Sequence, residues 1–594
     1  MTEKLFKDFP PVPTQQWEEQ IEKDLKGADY EKKLVWKIPD GVAVRPYYRA
    51  EDLEGLPYID SLPGEKPYLR GTKTDNNWLV RQTFAMTDHL KEVNALVLEA
   101  LSRGVESVGF RTDAGRKLTK QDMAVLLDQV PLTTVELAFS GASCTNPHVL
   151  YAFLEYVKEQ GTEANGLRVR FEFDPLGDAF FNGIQAGKEV LDAWKELVKA
   201  SRPYPGIRVV SVPGYQWQNM GSGIVQELGC SLALGKEYIN LLTEDGMSPE
   251  EAAGSIHFHM GIGLQYFLEI AKFRALRVLW DGICGLPASV HATTGFWDQT
   301  AYDMYVNLLR GTTGAMSAAI AGVDSLEVLP FDCVLSEGTP HSYRLARNIQ
   351  IILKEEAGFH KVTDPAAGSY YVESITDSVQ KEAQKLADEI LAKGGFSNKQ
   401  AAEWVREQIK ATRQRRLERL ASGREVMVGI NKYPDPLGKA PEGLATLPEE
   451  KWERASAEFE RMRLKTEQAK ETPVVFLLTF GNLGMCRARA QFATNFFGVA
   501  GFKIIDNNRF ASVEEGIQAA RKQGAHVVVA CSSDEEYAQG VPQIARALGK
   551  EAIVTVAGEP ACKEDLKAQG VNHFISVRSN LLETLLQYQN ELGL

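Results

Sequence analysis

Three groups of residues in this sequence have types and spacings that point toward chemistry. The first is FGNLGMC, Phe480–Cys486. Gly481 and Gly484 follow an apolar run and precede a helical pattern, an arrangement in which free N–H groups at a helix start hold a phosphate. The segment lacks both the G-x-G-x-x-G spacing and a P-loop Lys-Ser/Thr, and a plain tight turn is the simpler reading of the two glycines. The second group is His257 and His259, two apart in one apolar run, with His291 in another. Strand periodicity puts the first two on one face, facing a barrel mouth. No third ligand is evident, so they read as polar lining residues and not as a metal site. The third is the loop VPGYQWQNMGSG, Val212–Gly223, dense in aromatics, amides and glycine. Tyr215, Gln216, Trp217 and Gln218 suit either a ligand-holding loop or the cap of a barrel mouth. Nowhere is there a Ser-His-Asp arrangement, a carboxylate pair with an obvious task or a cluster of metal ligands.

Positioning these residues requires a scaffold, and the apolar pattern supplies one. Strand-like runs occur at Trp78–Phe84, Val105–Arg111, Thr134–Ser140, Val169–Phe173, Ile207–Val212, Ser255–His259, Ser289–Thr293 and Leu326–Phe331. Helical patterns lie between them, including Leu90–Leu101, Lys188–Ala200, Gly221–Leu242, Leu264–Trp280 and Tyr302–Ala321. Strands alternating with helices predict a parallel (β/α)₈ TIM barrel over residues 71–360, with a doubly wound open sheet as the alternative. Residues 1–70 read as an arm, with Pro10, Pro11 and Pro13 followed by a short amphipathic helix carrying Trp17, Ile21 and Leu25. Residues 361–471 lose the strand signal and read as a helical linker, with Pro434, Pro436, Pro441 and Pro448 as breaks. From 472 to 594, short β-rich runs at Val474–Thr479, Phe502–Ile505, His526–Cys531, Ala552–Val556 and His573–Val577 alternate with helices. They predict a flavodoxin-like, Rossmann-type domain whose ligand crevice lies near Phe480–Met485.

At 594 residues the chain is too long for one core. Its formal charge of −13, with acids and bases interspersed, argues against nucleic acid as a partner. Its seven cysteines include no Cys-x-x-Cys pair and read as reduced thiols, which suits the cytoplasm. No apolar stretch approaches the roughly 20 residues needed to cross a bilayer, and MTEKLFKDFP has no apolar signal core, so no membrane association is expected.

Four segments resemble the methylmalonyl-CoA mutase family. Pro213–Gly221 (PGYQWQNMG) is similar to the family's Ser-Gly-Tyr-His-Met-Gln-Glu-Ala-Gly, and Asn76–Phe84 (NNWLVRQTF) to its Arg-Pro-Trp-Thr-Ile-Arg-Gln-Tyr. Gly261–Trp280 resembles the family's helix after the sixth strand, and Arg344–Glu373 a signature of like length. With the C-terminal region, the likeness spans most of residues 40–594. It implies a barrel threaded by an acyl-CoA and a C-terminal cobalamin-binding-like domain. It also implies a carbon-skeleton rearrangement driven by adenosylcobalamin.

The departures from the family pattern are concentrated where that chemistry would occur. In catalytic chains an Asp-x-His-x-x-Gly motif supplies the cobalt ligand; here Leu483, Met485 and Ala488 stand at its three positions. The active-site Tyr corresponds to Thr83, the substrate-contacting His to Gln216, and the Glu that holds the adenosyl group to Cys333. A Glu-Gln pair becomes Ala301-Tyr302, and the first Arg of Arg-Pro-Trp becomes Asn76. Loss of the ligand and of its carboxylate partner together removes the metal site. The resemblance therefore implies the small, non-catalytic subunit of a heterodimer. In that heterodimer the catalytic large subunit binds adenosylcobalamin, and this chain binds no cofactor or metal of its own. A CoA-thioester-binding regulatory protein, or an active mutase for another acyl-CoA, are the alternatives.

Overall fold

The computed structural model describes residues 10–113, 115–144, 146–183, 186–444 and 454–594. Residues 1–9 of the expected arm and Pro448 of the expected linker lie outside the described residues. A short antiparallel pair, β1 (Trp36–Lys37) and β2 (Ala43–Val44), precedes the barrel. The barrel strands are β3 (Leu79–Ala85), β4 (Ser107–Arg111), β5 (Glu136–Ser140), β6 (Val169–Phe173), β7 (Ile207–Val212), β8 (Ile256–Ile262), β9 (Val290–Thr294) and β10 (Ser325–Glu327). Each pairs in parallel with the next, and β10 returns to β3 through Ser325 opposite Leu79, so the sheet is a closed barrel and not the open alternative. The last strand is shorter than the expected Leu326–Phe331. Pro330 has no N–H for a ladder, and the Leu329 N–H donates instead to Thr294 Oγ1 (2.9 Å).

Period-two alternation sorts the side chains. Val108, Phe110, Leu137, Phe139, Phe171 and Phe258 point outward into the apolar core beneath the helices. Phe139 stacks on Phe110 and Phe171, with ring centroids 5.3 and 4.9 Å apart. The intervening residues turn into the lumen and are largely polar, which is unusual for a fold whose interior is normally filled by branched apolar residues.

The helix Tyr370–Ala392, in the segment read as a linker, adds Val372, Ile375, Val379 and Ile390 to that same core. Its start is fixed by a buried ion cluster. Arg70 pairs with Asp364 (3.1 Å) and with Glu373, and Arg274 pairs with Glu373 (2.5 Å) and with Asp364. Two of the family-like segments thus meet through paired buried charges. The arm also docks through Asp40, whose Oδ2 accepts the Val225 N–H (2.7 Å), and through Ile38, Val42 and Val44. Its first helix, Thr14–Asp24, has no buried residue.

The C-terminal sheet contains β11 (Val474–Thr479), β12 (Lys503–Ile505), β13 (Val527–Cys531), β14 (Ile553–Ala557) and β15 (His573–Ile575). The strands are all parallel in the order β12-β11-β13-β14-β15, the flavodoxin-like 2-1-3-4-5 arrangement. The seam between barrel and sheet is the loop after β9. Trp297 and Tyr302 are buried in the core of the C-terminal unit, beneath the guanidinium groups of Arg416 and Arg463 respectively.

Candidate functional site: the barrel lumen and the C-terminal crevice

The lumen is spanned by a chain of charge-assisted hydrogen bonds. From β3, Arg81 donates through Nε to Ser107 Oγ on β4 (2.8 Å) and through Nη2 to Glu136 Oε1 on β5 (2.6 Å). From β6, Arg170 Nε donates to Glu136 Oε2 (2.9 Å), and its Nη1 reaches Ser289 Oγ just before β9. Ser107 Oγ also donates to Glu136 Oε1 (2.8 Å). Because β7 and β8 separate β6 from β9, the Arg170–Ser289 link spans part of the lumen rather than joining neighbouring strands. Against the push of burial, Arg170 and Arg81 hold the Glu136 carboxyl far below the usual carboxylate range.

One layer nearer the C-terminal mouth, His259 and His291 meet, with ring centroids 4.8 Å apart, while His257 sits two residues earlier on β8. One arrangement of protons satisfies every link. Ser325 Oγ donates to His291 Nδ1 (2.9 Å), and His291 Nε2 donates to Thr293 Oγ1 (3.1 Å). Thr293 Oγ1 donates to His259 Nε2 (2.9 Å), and His259 Nδ1 donates to Glu172 Oε1 (3.0 Å). Burial, with Arg81 nearby, pushes His291 well below the usual histidine range. His257 donates through Nε2 to the Phe171 carbonyl (3.1 Å), and burial and Arg170 push it down to about 3. Hydrogen-bonded polar residues of the barrel interior are what the sequence pattern predicted. Among the described residues no group of three or more His, Cys, Asp or Glu is placed to hold a metal.

The positions singled out by the resemblance fall in several places. Thr83 donates through Oγ1 to Glu327 Oε2 (2.9 Å), and its N–H goes to Glu327 Oε1 (2.8 Å). Gln216 is half-buried on a short helix, Gly214–Asn219, in the stretch read as a loop, and the neighbouring Tyr215 ring stacks flat on His259 at 5.0 Å. Trp217 and Gln218 are buried, and Gln218 Nε2 donates to Asp298 Oδ2 (3.2 Å). Cys333 is half-buried in the turn after β10, and none of the seven cysteines is in a disulfide. Asn76 is buried and donates to the carbonyls of Ala319 (2.9 Å) and Phe359 (3.0 Å). Ala301 donates its N–H to Glu460 Oε1 (2.8 Å), so this position lies in the seam between the two units.

At the N-terminal mouth, a cavity of about 550 Å³ has Lys73, Arg168 and Arg208 on its walls and reaches inward to Glu136 and Arg170. Arg208 is already engaged, donating to the carbonyls of Gly254 (2.6 Å) and Ile256 (2.9 Å), and burial lowers it to about 10.

In the C-terminal unit, the switch point between β11 and β13 is closed by Glu536. This carboxylate accepts the Asn482 N–H (3.0 Å), the Ser533 hydroxyl (2.8 Å) and the Ser532 hydroxyl. Against the desolvation it suffers, these bonds hold it at about 2. A Cβ on Gly481 would lie 2.1 Å from the same carboxylate, and the φ of +71° there also favours glycine. Asn482 caps the helix Leu483–Gly498 by accepting the Met485 N–H (3.0 Å). The donors expected of a phosphate-binding turn are therefore taken by the protein itself, and the tight-turn reading fits. Leu483, Met485 and Ala488 all lie exposed on the first turns of that helix, Leu483 at 60% and Met485 at 40%. A thioether and hydrocarbon face outward there.

The family model for methylmalonyl-CoA mutase matches residues 37–478. The chain belongs to the methylmalonyl-CoA mutase family. It is 42% identical to the methylmalonyl-CoA mutase small subunit of Porphyromonas gingivalis, over all of this chain and 99% of that protein. It is 32% identical to the small subunit of Propionibacterium freudenreichii subsp. shermanii, over 92% of this chain and 89% of that one. To the methylmalonyl-CoA mutase of Rhizobium meliloti it is 31% identical, over 73% of this chain and 64% of that protein. The likeness to the small subunits thus runs nearly end to end. Mutases of this family are isomerases and generally depend on cobalamin. In this mutase-family chain no helix among the described residues is long and apolar enough to cross a membrane.

The lumen network and Glu536 were not anticipated from sequence. The available signal was a charged residue at an inward position of a strand (Arg81, Glu136, Arg170), which marks a buried ion in need of a partner without naming that partner.

Proposed function

We propose that this chain is the catalytically silent, structural subunit of a heterodimeric, cytoplasmic mutase. Its partner is a catalytic large subunit that binds adenosylcobalamin, and the assembled enzyme interconverts (R)-methylmalonyl-CoA and succinyl-CoA. The observation that carries this reading is the bridged lumen. A thioester threading the barrel would have to break the Arg81–Glu136–Arg170–Ser289 chain and leave buried charges unpaired. The C-terminal crevice supports it. Met485 presents sulfur where a cobalt ligand would be an imidazole, Leu483 cannot orient such a ligand, and Glu536 fills the turn. These residues do not fit a cobalamin base, and no step is assigned to that cofactor on this chain. The role left is an interface. The helix Thr14–Asp24 keeps Trp17 48% exposed, which suits an arm that wraps a partner.

Co-expression with the large subunit tests the proposal. Stable heterodimer formation is expected, with turnover in the pair and none in the purified small chain. Tight adenosylcobalamin binding or mutase turnover by this chain alone would overturn it. The cationic N-terminal mouth favours one second reading, a regulatory protein that senses a CoA thioester. Calorimetry with CoA and acyl-CoA separates the two, because the structural reading expects no heat.

A further inference from the structure

On the outside of the barrel, the helices Leu90–Ser102 and Pro340–Ile351 flank β3 and leave a cleft of about 660 Å³ between them. Its floor is apolar and buried, formed by Phe84, Val93 and Ala100, and Leu96 stands at the rim 49% exposed. The facing wall carries Arg344 and Arg347, with Arg103 at one end. Arg347 is only 8% exposed. Its Nη1 donates to Gln82 Oε1 (3.1 Å), while its Nε is buried with no hydrogen-bond partner among the described residues. The two carboxylates in the cleft serve other arginines. Glu99 pairs with Arg103 (3.4 Å) and Glu337 with Arg111 (2.5 Å). Burial, with Arg103 and Arg344 nearby, lowers the Arg347 pKa, and Glu99 opposes them only in part.

A buried guanidinium without an anion is costly, and an incoming carboxylate relieves that cost through its planar fork. The volume is that of small-molecule sites, and the division into one apolar and one cationic wall matches an amphiphile. We propose that this cleft binds a small monocarboxylate with an apolar tail, its carboxylate on Arg347 and Arg344 and its tail along Phe84, Val93 and Leu96. The cleft opens on the outer face of the barrel, and the inference does not depend on the role proposed for the chain.

Calorimetry of the full chain with octanoate, octyl phosphate and octylamine tests it. Octanoate binds in the sub-millimolar range and octylamine does not. Arg347→Met weakens octanoate at least about tenfold, the loss expected for a charge-assisted pair. Leu96→Glu, at the exposed rim where folding is not at stake, also abolishes most binding. No heat with millimolar octanoate, or an affinity unchanged in both variants, overturns the proposal. So does equal binding of octylamine, which would be mere apolar adsorption, and tighter binding of octyl phosphate, which would replace the carboxylate assignment. Complete loss of octanoate binding in the heterodimer would make the cleft a protein interface and would likewise overturn it.

Discussion

In the barrel lumen, side chains from β3, β4, β5, β6 and the segment before β9 hold one another, and every member is buried. In the C-terminal crevice, one glutamate at the edge of solvent does the closing, against backbone N–H groups and two serines. The lumen network hinges on Glu136, because removing it strands Arg81 and Arg170 in low dielectric. The crevice is a local cap whose loss exposes little. The bridging of the lumen is therefore built into the packing of the barrel, whereas the closing of the crevice rests on a few side chains at a turn.

The sharpest way to break this contrast is Glu136→Gln. It leaves Arg81 and Arg170 unpaired and is expected to cost about 3–5 kcal/mol in urea unfolding. A loss below about 1 kcal/mol would mean that water already screens the lumen. Replacing the triad together by Arg81→Met, Glu136→Leu and Arg170→Met is expected to restore stability to within about 2 kcal/mol of the parent, because similar-sized apolar groups remove the desolvation cost along with the attraction. A triple variant as unstable as Glu136→Gln would show that the lumen needs these ions for shape.

Glu536→Gln is expected to cost about 1 kcal/mol at neutral pH through weaker acceptance of the Asn482 and Ser533 donors. The folded carboxyl sits at about 2, below its ordinary value, so its contribution is complete above that ordinary value and is lost as pH falls toward 2. The difference between the variant and its parent should therefore narrow between pH 5 and pH 3, at about those values. A gap that is constant with pH would assign the effect to packing. The smallest effect is expected from Leu483→Asp with Met485→His. Both positions are exposed, and stability should move by less than about 0.5 kcal/mol. After gel filtration no hydroxocobalamin should co-elute with the variant, because Glu536 and Asn482 still occupy the turn. Retention of stoichiometric cobalamin by the variant would place the whole loss at those two substitutions.

Much of the architecture was legible along the chain. Alternating apolar runs and helical patterns predict a β/α barrel, with an open sheet as the alternative, followed by a parallel sheet, because burying a parallel strand on both faces demands a continuous run such as Val527–Cys531. The histidine pattern also reads correctly, since a period of two puts His257 and His259 on one face whatever surrounds them. The end of β10 and the short helix at Gln216 do not, because tertiary hydrogen bonds to Thr294 and packing on His259 decide them.

The residue types at the family's chemical positions, Met485 and Leu483 above all, are properties of the sequence by itself, and no fold can turn a thioether into an imidazole. What only the tertiary structure decided is which buried charge meets which. Arg81, Glu136, Arg170 and Ser289 lie far apart along the chain and become neighbours when the barrel closes. Periodicity specifies the face a side chain takes, whereas pairing across a lumen depends on strand order and register, which are set by the whole sheet at once.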